Sequence, residues 1–282
     1  MKIELIFLEM AKNELEAAKY LFSKKLYSQS VFHLQQAIEK AVKCFGIWSK
    51  IITDSEAKDV IGHEAWKLYL KIFDEVKNKI ARLEEVLNKF PSLKEVSLIK
   101  KLDIPGFKSK MQGYEHAFKF SDEEMFNLSF SKEKLQAITN EINKLNESLK
   151  EAVLPETIKE EELSDLRKEF HDFLDAISEF NPNINEKVKE KINEILTPLI
   201  ISIFKMIKDT ILRVISSSVS LFYLSIIFSP HAVKSRYPQN DFNPLEAYTD
   251  EMPLIQIFDS FIKVSEEVLE DLQSGLSKVM EK

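Results

Sequence analysis

His33, Gln36, Glu39, Lys40 and Lys43 recur at spacings of three and four residues, so on a helix they occupy one side. An imidazole and two ammonium groups around a carboxylate and a carboxamide can meet a ligand, line a crevice between packed helices, or form a contact between two copies of the chain. Near the other end, Arg236 and Tyr237 are adjacent, a pairing in which the guanidinium can hold a phosphate and the ring can stack on a base. The same two residues also suit a loop anchor, with Tyr237 packed under the last helix and Arg236 bonded to carbonyls or an acid. The histidines at 33, 63, 116, 171 and 231 have no HExxH or paired spacing, so no metal site is expected. No GxxxxGK[ST], GxGxxG or GxSxG occurs, which removes the common nucleotide-hydrolase and hydrolase readings and leaves no cofactor to expect.

The elements that would carry these groups are helical. Ile3, Ile6, Met10, Ala17 and Leu21 trace a first helix that stops near Ser23, Lys24 and Lys25. Ser28 is placed to cap a second, whose apolar stripe is Val31, Leu34, Ile38, Ala41, Val42 and Phe45, with Glu39 and Lys43 as an i,i+4 pair. Thr53 to Glu56 has capping-box spacing, and Ala65, Trp66, Leu68, Tyr69, Ile72 and Phe73 form the inner face of a third helix. Pro91, Pro105 and Gly106 mark breaks, and Ser121 to Glu124 repeats the capping-box spacing. Leu135, Ile138, Ile142, Leu145 and Leu149, then Pro155, then Leu163, Leu166, Phe170, Phe173, Ile177 and Phe180 form a heptad-patterned hairpin over about 131–180. It could pack within the chain, project as an arm, or form an intermolecular coiled coil. Pro230, Pro238 and Pro244 predict a turning segment over 230–248. Asn243, Pro244 and Glu246 then predict the start of a last helix running through Ile255, Phe258, Phe261, Ile262, Val268 and Leu272.

Composition agrees. Five glycines in 282 residues are too few for many tight turns, while 44% hydrophobic and 30% charged residues build a core and a soluble surface. A net charge of -7 gives no global attraction for phosphate backbones, so any nucleic-acid contact must be local. The lone Cys44 cannot form an internal disulfide, which fits a reducing, cytoplasmic location. Glu4 and Glu9 interrupt the apolar start, which reads as a helix and not as a secretory signal. Lys205, Lys208, Asp209 and Arg213 divide the apolar stretch 195–228 into runs too short to span a bilayer.

Tyr27, the His33-x-x-Gln36-Ala37 run and the Glu39-Lys40 pair, followed by Gly62-His63 and later by Arg236-Tyr237-Pro238, resemble the HEPN domain family. The resemblance covers 1–75 and 231–282. It implies an all-α, up-and-down four-helix bundle from these two pieces, with 76–230 as a large helical insertion containing the hairpin. Many HEPN proteins are metal-independent RNases in which an Arg is followed, after four to six residues, by a His: one group holds the scissile phosphate, the other moves a proton, near a dimer interface. No arginine here has that spacing; Arg167 and His171 are one residue short and read as a solvated helix surface. With lysine in place of arginine, Lys58 with His63 and Lys110 with His116 fit, although an ammonium lacks the bidentate fork. Lys58 and His63 are the weak catalytic candidates, with a loop-bonding role as the alternative for His63.

The resemblance then implies a non-catalytic module, homodimeric, that binds a nucleotide, RNA or partner protein, with ligand candidates His33, Gln36, Lys40, Lys43, Arg236 and Tyr237. Similar proteins are often paired with a small nucleotidyltransferase in toxin–antitoxin, stress or defence systems. The competing expectations are a metal-independent endoribonuclease toxin with a divergent basic/His pair, and a non-enzymatic helical scaffold.

Overall fold

A computed structural model describes residues 2–89, 105–106, 130–151, 164, 167–168, 171–175, 178, 187, 190–191, 194, 198, 212–239 and 241–280. Among them the longer helices are α1 (Ile3–Ser23), α2 (Tyr27–Trp48), α4 (Lys67–Lys89), α5 (Lys132–Glu151), α6 (Leu212–Phe228) and α10 (Phe258–Met280). Short turns of helix link them: α3 (Asp54–Glu56), followed by a π-helical turn at Ala57–Ile61, then α7 (His231–Lys234), α8 (Pro244–Ala247) and α9 (Pro253–Gln256). The fold is an all-α, HEPN-like helical bundle, and no strand occurs among the described residues. No helix among them is long and apolar enough to cross a membrane.

The chain divides into two compact units, Met1–Ile72 with Phe118–Ala152 and Leu212–Lys282, and Phe73–Ala117 with Val153–Ile211. In the first unit α2 is central and packs against α1, α6 and α10. Its burial explains this position: Val31, Leu34, Ala37, Ile38, Ala41, Val42 and Phe45 are all buried. α5 packs on α6, α9 and α10 through Leu135, Thr139 and Ile142, and its Asn146 accepts a hydrogen bond from Ser216. Helices α5 and α6 lie in the stretch 76–230 that the resemblance sets aside as an insertion, yet both belong to the first unit. Their apolar faces are buried with α10, which is why they join the bundle. The second arm of the heptad hairpin lies mostly outside the described residues, as do Ser121–Glu124 and Lys110 with His116. In the second unit, Leu174 is buried and His171 lies 3.5 Å from Asp175 on an exposed helix face.

Aromatic packing closes the first unit. Phe228 meets Phe261 edge to face with centroids 5.2 Å apart, and Phe22 stacks on Phe258 at 4.7 Å. Each fully buried Phe contributes about 1.5–3 kcal/mol. The backbones of α2 and α10 approach closely because Gly275 faces Trp48: a Cβ there would lie 2.7 Å from the indole ring.

Two local expectations change. Helix α2 begins at Tyr27 with Leu26 at the cap position, and Ser28 is buried, donating to Gln29 instead of capping. The last helix starts at Phe258, not after Asn243. Asn243 accepts from the Leu245 amide and caps only α8; the extended Met252 and Pro253, which has no N–H to donate, then interrupt the path before α10. His231, buried in this connector, shares a 2.7 Å hydrogen bond with the Tyr248 hydroxyl, and burial pushes its pKa down to about 3.

Candidate functional site

The polar side of α2 is a connected network. Lys43 lies one turn after Glu39 and donates to its Oε1 at 2.7 Å, both side chains being nearly inaccessible to solvent. His63 Nδ1 reaches the other oxygen of Glu39 at 3.0 Å while 68% of the His63 side chain stays exposed. Burial favours the neutral form of Glu39, but hydrogen bonding and charge from Lys43, and then from His63, outweigh it and hold the carboxyl below its ordinary value. An ionised Glu39 accepts from Nδ1–H, which leaves Nε2 of His63 free for other chemistry.

The backbone that delivers His63 is specific. Thr53 and Glu56 form the expected capping box, with the Thr53 amide donating to Glu56 Oε2 at 2.8 Å, and Lys71 pairs with the same carboxylate. The π-helical turn follows and ends at Gly62, whose φ of +52° and ψ of -124° suit glycine and disfavour a Cβ. Immediately afterwards Ala65, Trp66, Leu68 and Tyr69 bury the start of α4, and Tyr69 donates to the Ser218 carbonyl at 2.9 Å. The turn is thus pinned on both sides.

A cleft of about 420 Å³ opens here, lined by Ile3, Phe7, Lys43, Asp54, Ala57, Lys58, Gly62 and His63. Its size falls in the range of about 300–1,000 Å³ typical of small-molecule sites. Among the described residues Lys58 has no ion-pair partner, so its ammonium is available, whereas Lys43 is committed to Glu39.

The network continues along α2. Gln36 approaches Glu39 at 3.3 Å and accepts from Lys40 at 3.0 Å; Lys40 also pairs with Glu14 of α1 at 3.0 Å. Glu14 in turn holds His33 Nδ1 at 2.6 Å. Burial raises the Glu14 pKa, but His33 and then Lys40 outweigh it, so this carboxyl is also held low. Phe32 stands beside His33, and the Arg236 guanidinium lies over Phe32 at 4.6 Å and over Tyr237 at 4.9 Å. Arg236 Nε donates to the Ala232 carbonyl at 3.0 Å, and Tyr237 is 54% exposed, not packed under the last helix.

The structure therefore gathers Lys43, Lys58 and His63 at one cleft and ties His33, Gln36 and Lys40 into the hydrogen-bonded chain that leads to it. Arg236 lies against Phe32 and Tyr237, and neither Arg236 nor Tyr237 lines the cleft. Sequence reasoning missed Glu14, Asp54 and Phe7. Glu14 had a signal, an acid beside the buried Ala11, Leu15 and Ala18 stripe of α1, and Asp54 had another, lying four residues before Lys58, whereas Phe7 reaches the site only through the fold. No metal-binding cluster of His, Cys, Asp or Glu occurs among the described residues, and the buried Cys44 thiol is pushed up to about 12, which makes it a poor nucleophile.

A bundle with this polar α2 face and a Gly-His turn defines a class: residues 5–90 match the family model of the HEPN domain. A relative is a protein of Methanocaldococcus jannaschii named "Putative toxin MJ1304", 31% identical over 91 residues. The match covers 32% of this chain and 55% of the relative, so the chain spans about half the length of the curated protein it matches. No solved structure matches the chain.

Proposed function

We propose that this protein is a HEPN-type binding module of a toxin–antitoxin or related defence system, and that it takes a nucleotide or RNA end in the Lys58–His63 cleft. The observation that carries this reading is His63, ordered by the buried Glu39 through Nδ1 and exposed at the cleft beside the uncommitted Lys58. Carboxylate, imidazole and ammonium in this arrangement form a prepared receptor for a phosphate oxygen. The name of the M. jannaschii relative supports the toxin–antitoxin setting. His33, Gln36 and Lys40 support the site from behind, and Arg236 with Tyr237 offers a second, separate place for a phosphate or a base. A homodimer, a nucleotidyltransferase partner and a cytoplasmic location belong to the same proposal. Binding is tested by the melting temperature of the full chain with nucleotides and short RNAs: a ligand-dependent rise, lost in Lys58→Ala, supports it, and no rise with any of them overturns it.

A second reading has one specific support. A carboxylate that fixes the Nδ1–H tautomer of a histidine leaves Nε2 able to take and return a proton, as a metal-independent RNase requires. RNA cleavage without added metal, lost in a folded His63→Ala protein, would replace the binding-only reading by this one.

A further inference from the structure

The charges around the cleft restrict what it can hold. Lys43 is the nearest cation on α2, but its ammonium is already paired with Glu39. Asp54, also in the lining, adds a carboxylate with no basic partner among the described residues. The lysines and carboxylates balance, so Lys58 and the free ring nitrogen of His63 are the groups left to meet an anion. Among the described residues no cluster of acids or histidines lies ready to bring a divalent metal to a polyphosphate. Ile3, Phe7 and Ala57 supply an apolar wall, with the Phe7 ring available to a base or sugar.

We propose that the cleft is selective for a nucleoside bearing a single phosphoryl group, the phosphate on Lys58 and His63 Nε2 and the base against Phe7, and that it discriminates against a triphosphate. This rests on the binding reading above. A single phosphate carries about -1.5 to -2 charges at neutral pH; the Lys58 ammonium meets one of them, and the contact with His63 Nε2 holds one shared proton, carried in on the phosphate's own P–OH or taken up with the ligand. Each further phosphate would enter without a free cation and would face Asp54, and like charges at close range in a partly desolvated cleft repel strongly. The shared chemistry is found in a free mononucleotide and in a phosphorylated RNA terminus.

The experiment is thermal denaturation of the full chain, without divalent metal, with adenosine, inorganic phosphate, AMP, ATP, and a short RNA carrying either a 5′-phosphate or a 5′-hydroxyl. The expected result is stabilisation by AMP or by the phosphorylated RNA, at least tenfold weaker apparent affinity for ATP, and loss of the effect in Lys58→Ala or Lys58→Gln. Far-UV circular dichroism verifies that each variant is folded. Asp54→Asn is expected to narrow the AMP-to-ATP difference by improving ATP. Stabilisation by AMP alone assigns a free nucleotide, and by the phosphorylated RNA alone an RNA end; either supports the proposal. Equal or tighter binding of ATP overturns the single-phosphoryl inference and leaves the binding reading standing, whereas no stabilisation by any compound removes both.

Discussion

The same chemical unit is built twice on α2, and the second copy presents its histidine at a cleft. In the first, Glu14 bridges His33 at 2.6 Å and Lys40 at 3.0 Å; in the second, Glu39 bridges His63 at 3.0 Å and Lys43 at 2.7 Å. Each carboxylate holds one histidine through Nδ1 and one lysine through Nζ, and each has its pKa lowered by these partners against the effect of burial. The exposure is distributed differently. Glu14 and His33 are both partly covered, at 24% and 31%, whereas Glu39 is almost fully buried at 5% and its histidine is 68% exposed. In the Glu14 unit, acid and histidine come from two helices packed side by side, so the group pins α1 to α2. In the Glu39 unit the histidine comes from a turn, and the buried acid points it outward. A pair of helices can be joined by the same side chains that, when one is moved to a loop, present a reactive nitrogen.

Removing the two acids separately gives the largest contrast. Glu39→Ala leaves the Lys43 ammonium buried without its counter-ion, and breaking such a pair costs about 3–5 kcal/mol. Glu14→Ala leaves Lys40, as buried as Lys43, still hydrogen-bonded to Gln36, and removes a carboxylate that is 24% exposed where Glu39 is 5%, so we expect a smaller loss. Urea denaturation of both variants measures the difference, and equal losses would erase the distinction drawn between the two units.

The pH dependence tests what the two units share. Both carboxyls titrate lower in the folded chain than their ordinary value of about 4.5, so the folded state binds fewer protons in this range than the unfolded one. Their stabilisation is complete above that value and is lost as the pH falls through the folded pKa. The stability of the unaltered protein should therefore decline with acid below about pH 5. Glu39→Gln should flatten that decline, and so should Glu14→Gln, in each case by removing its own share. His231 adds a separate slope: its folded pKa is also depressed, so protonation is favoured in the unfolded chain and stability begins to fall below about pH 6.5. His231→Gln should remove that upper part of the curve, measured by urea midpoints across pH 3–8, and leave the carboxyl-dependent part in place.

How much of this was written in the sequence follows from how local each feature is. The α2 stripe, the Glu39–Lys43 pair and the Thr53–Glu56 capping box depend on residues within a turn or two of one another, and periodicity reveals them. The resemblance to HEPN proteins carried Gly62-His63, and with it the residue now found at the cleft. Contacts across long separations were not legible. Glu14 meets His33 because α1 folds back on α2, and Phe7 joins Lys58 at the cleft only when α1 converges on the turn. The same reason applies to α5 and α6: each reads as an amphipathic or apolar helix, but nothing in its own spacing says that it packs on α10. Helix α10 misled for a different cause. The Asn243 cap is genuine, yet Pro253 lies ten residues downstream and overrides it.

The smallest effect on stability should give the sharpest functional contrast. Gly62 adopts a positive φ at the turn that delivers His63, whereas His33 sits within regular helix and asks nothing special of its backbone. In Gly62→Ala the new Cβ meets open space, its nearest neighbour being the Lys58 carbonyl oxygen at 4.0 Å, so packing is not the obstacle. The cost is the strained backbone conformation alone, about 1–2 kcal/mol. If the turn relaxes to avoid that strain, the imidazole moves away from Glu39 and from the cleft, and ligand-dependent stabilisation should fall far more than the stability of the unliganded protein. His33→Asn should behave in the opposite sense, losing a contact between α1 and α2 while retaining the ligand-dependent rise in Tm. Should Gly62→Ala bind as the unaltered protein does, the position of His63 is not what prepares the cleft, and the difference between the two histidine units would be one of exposure without consequence for binding.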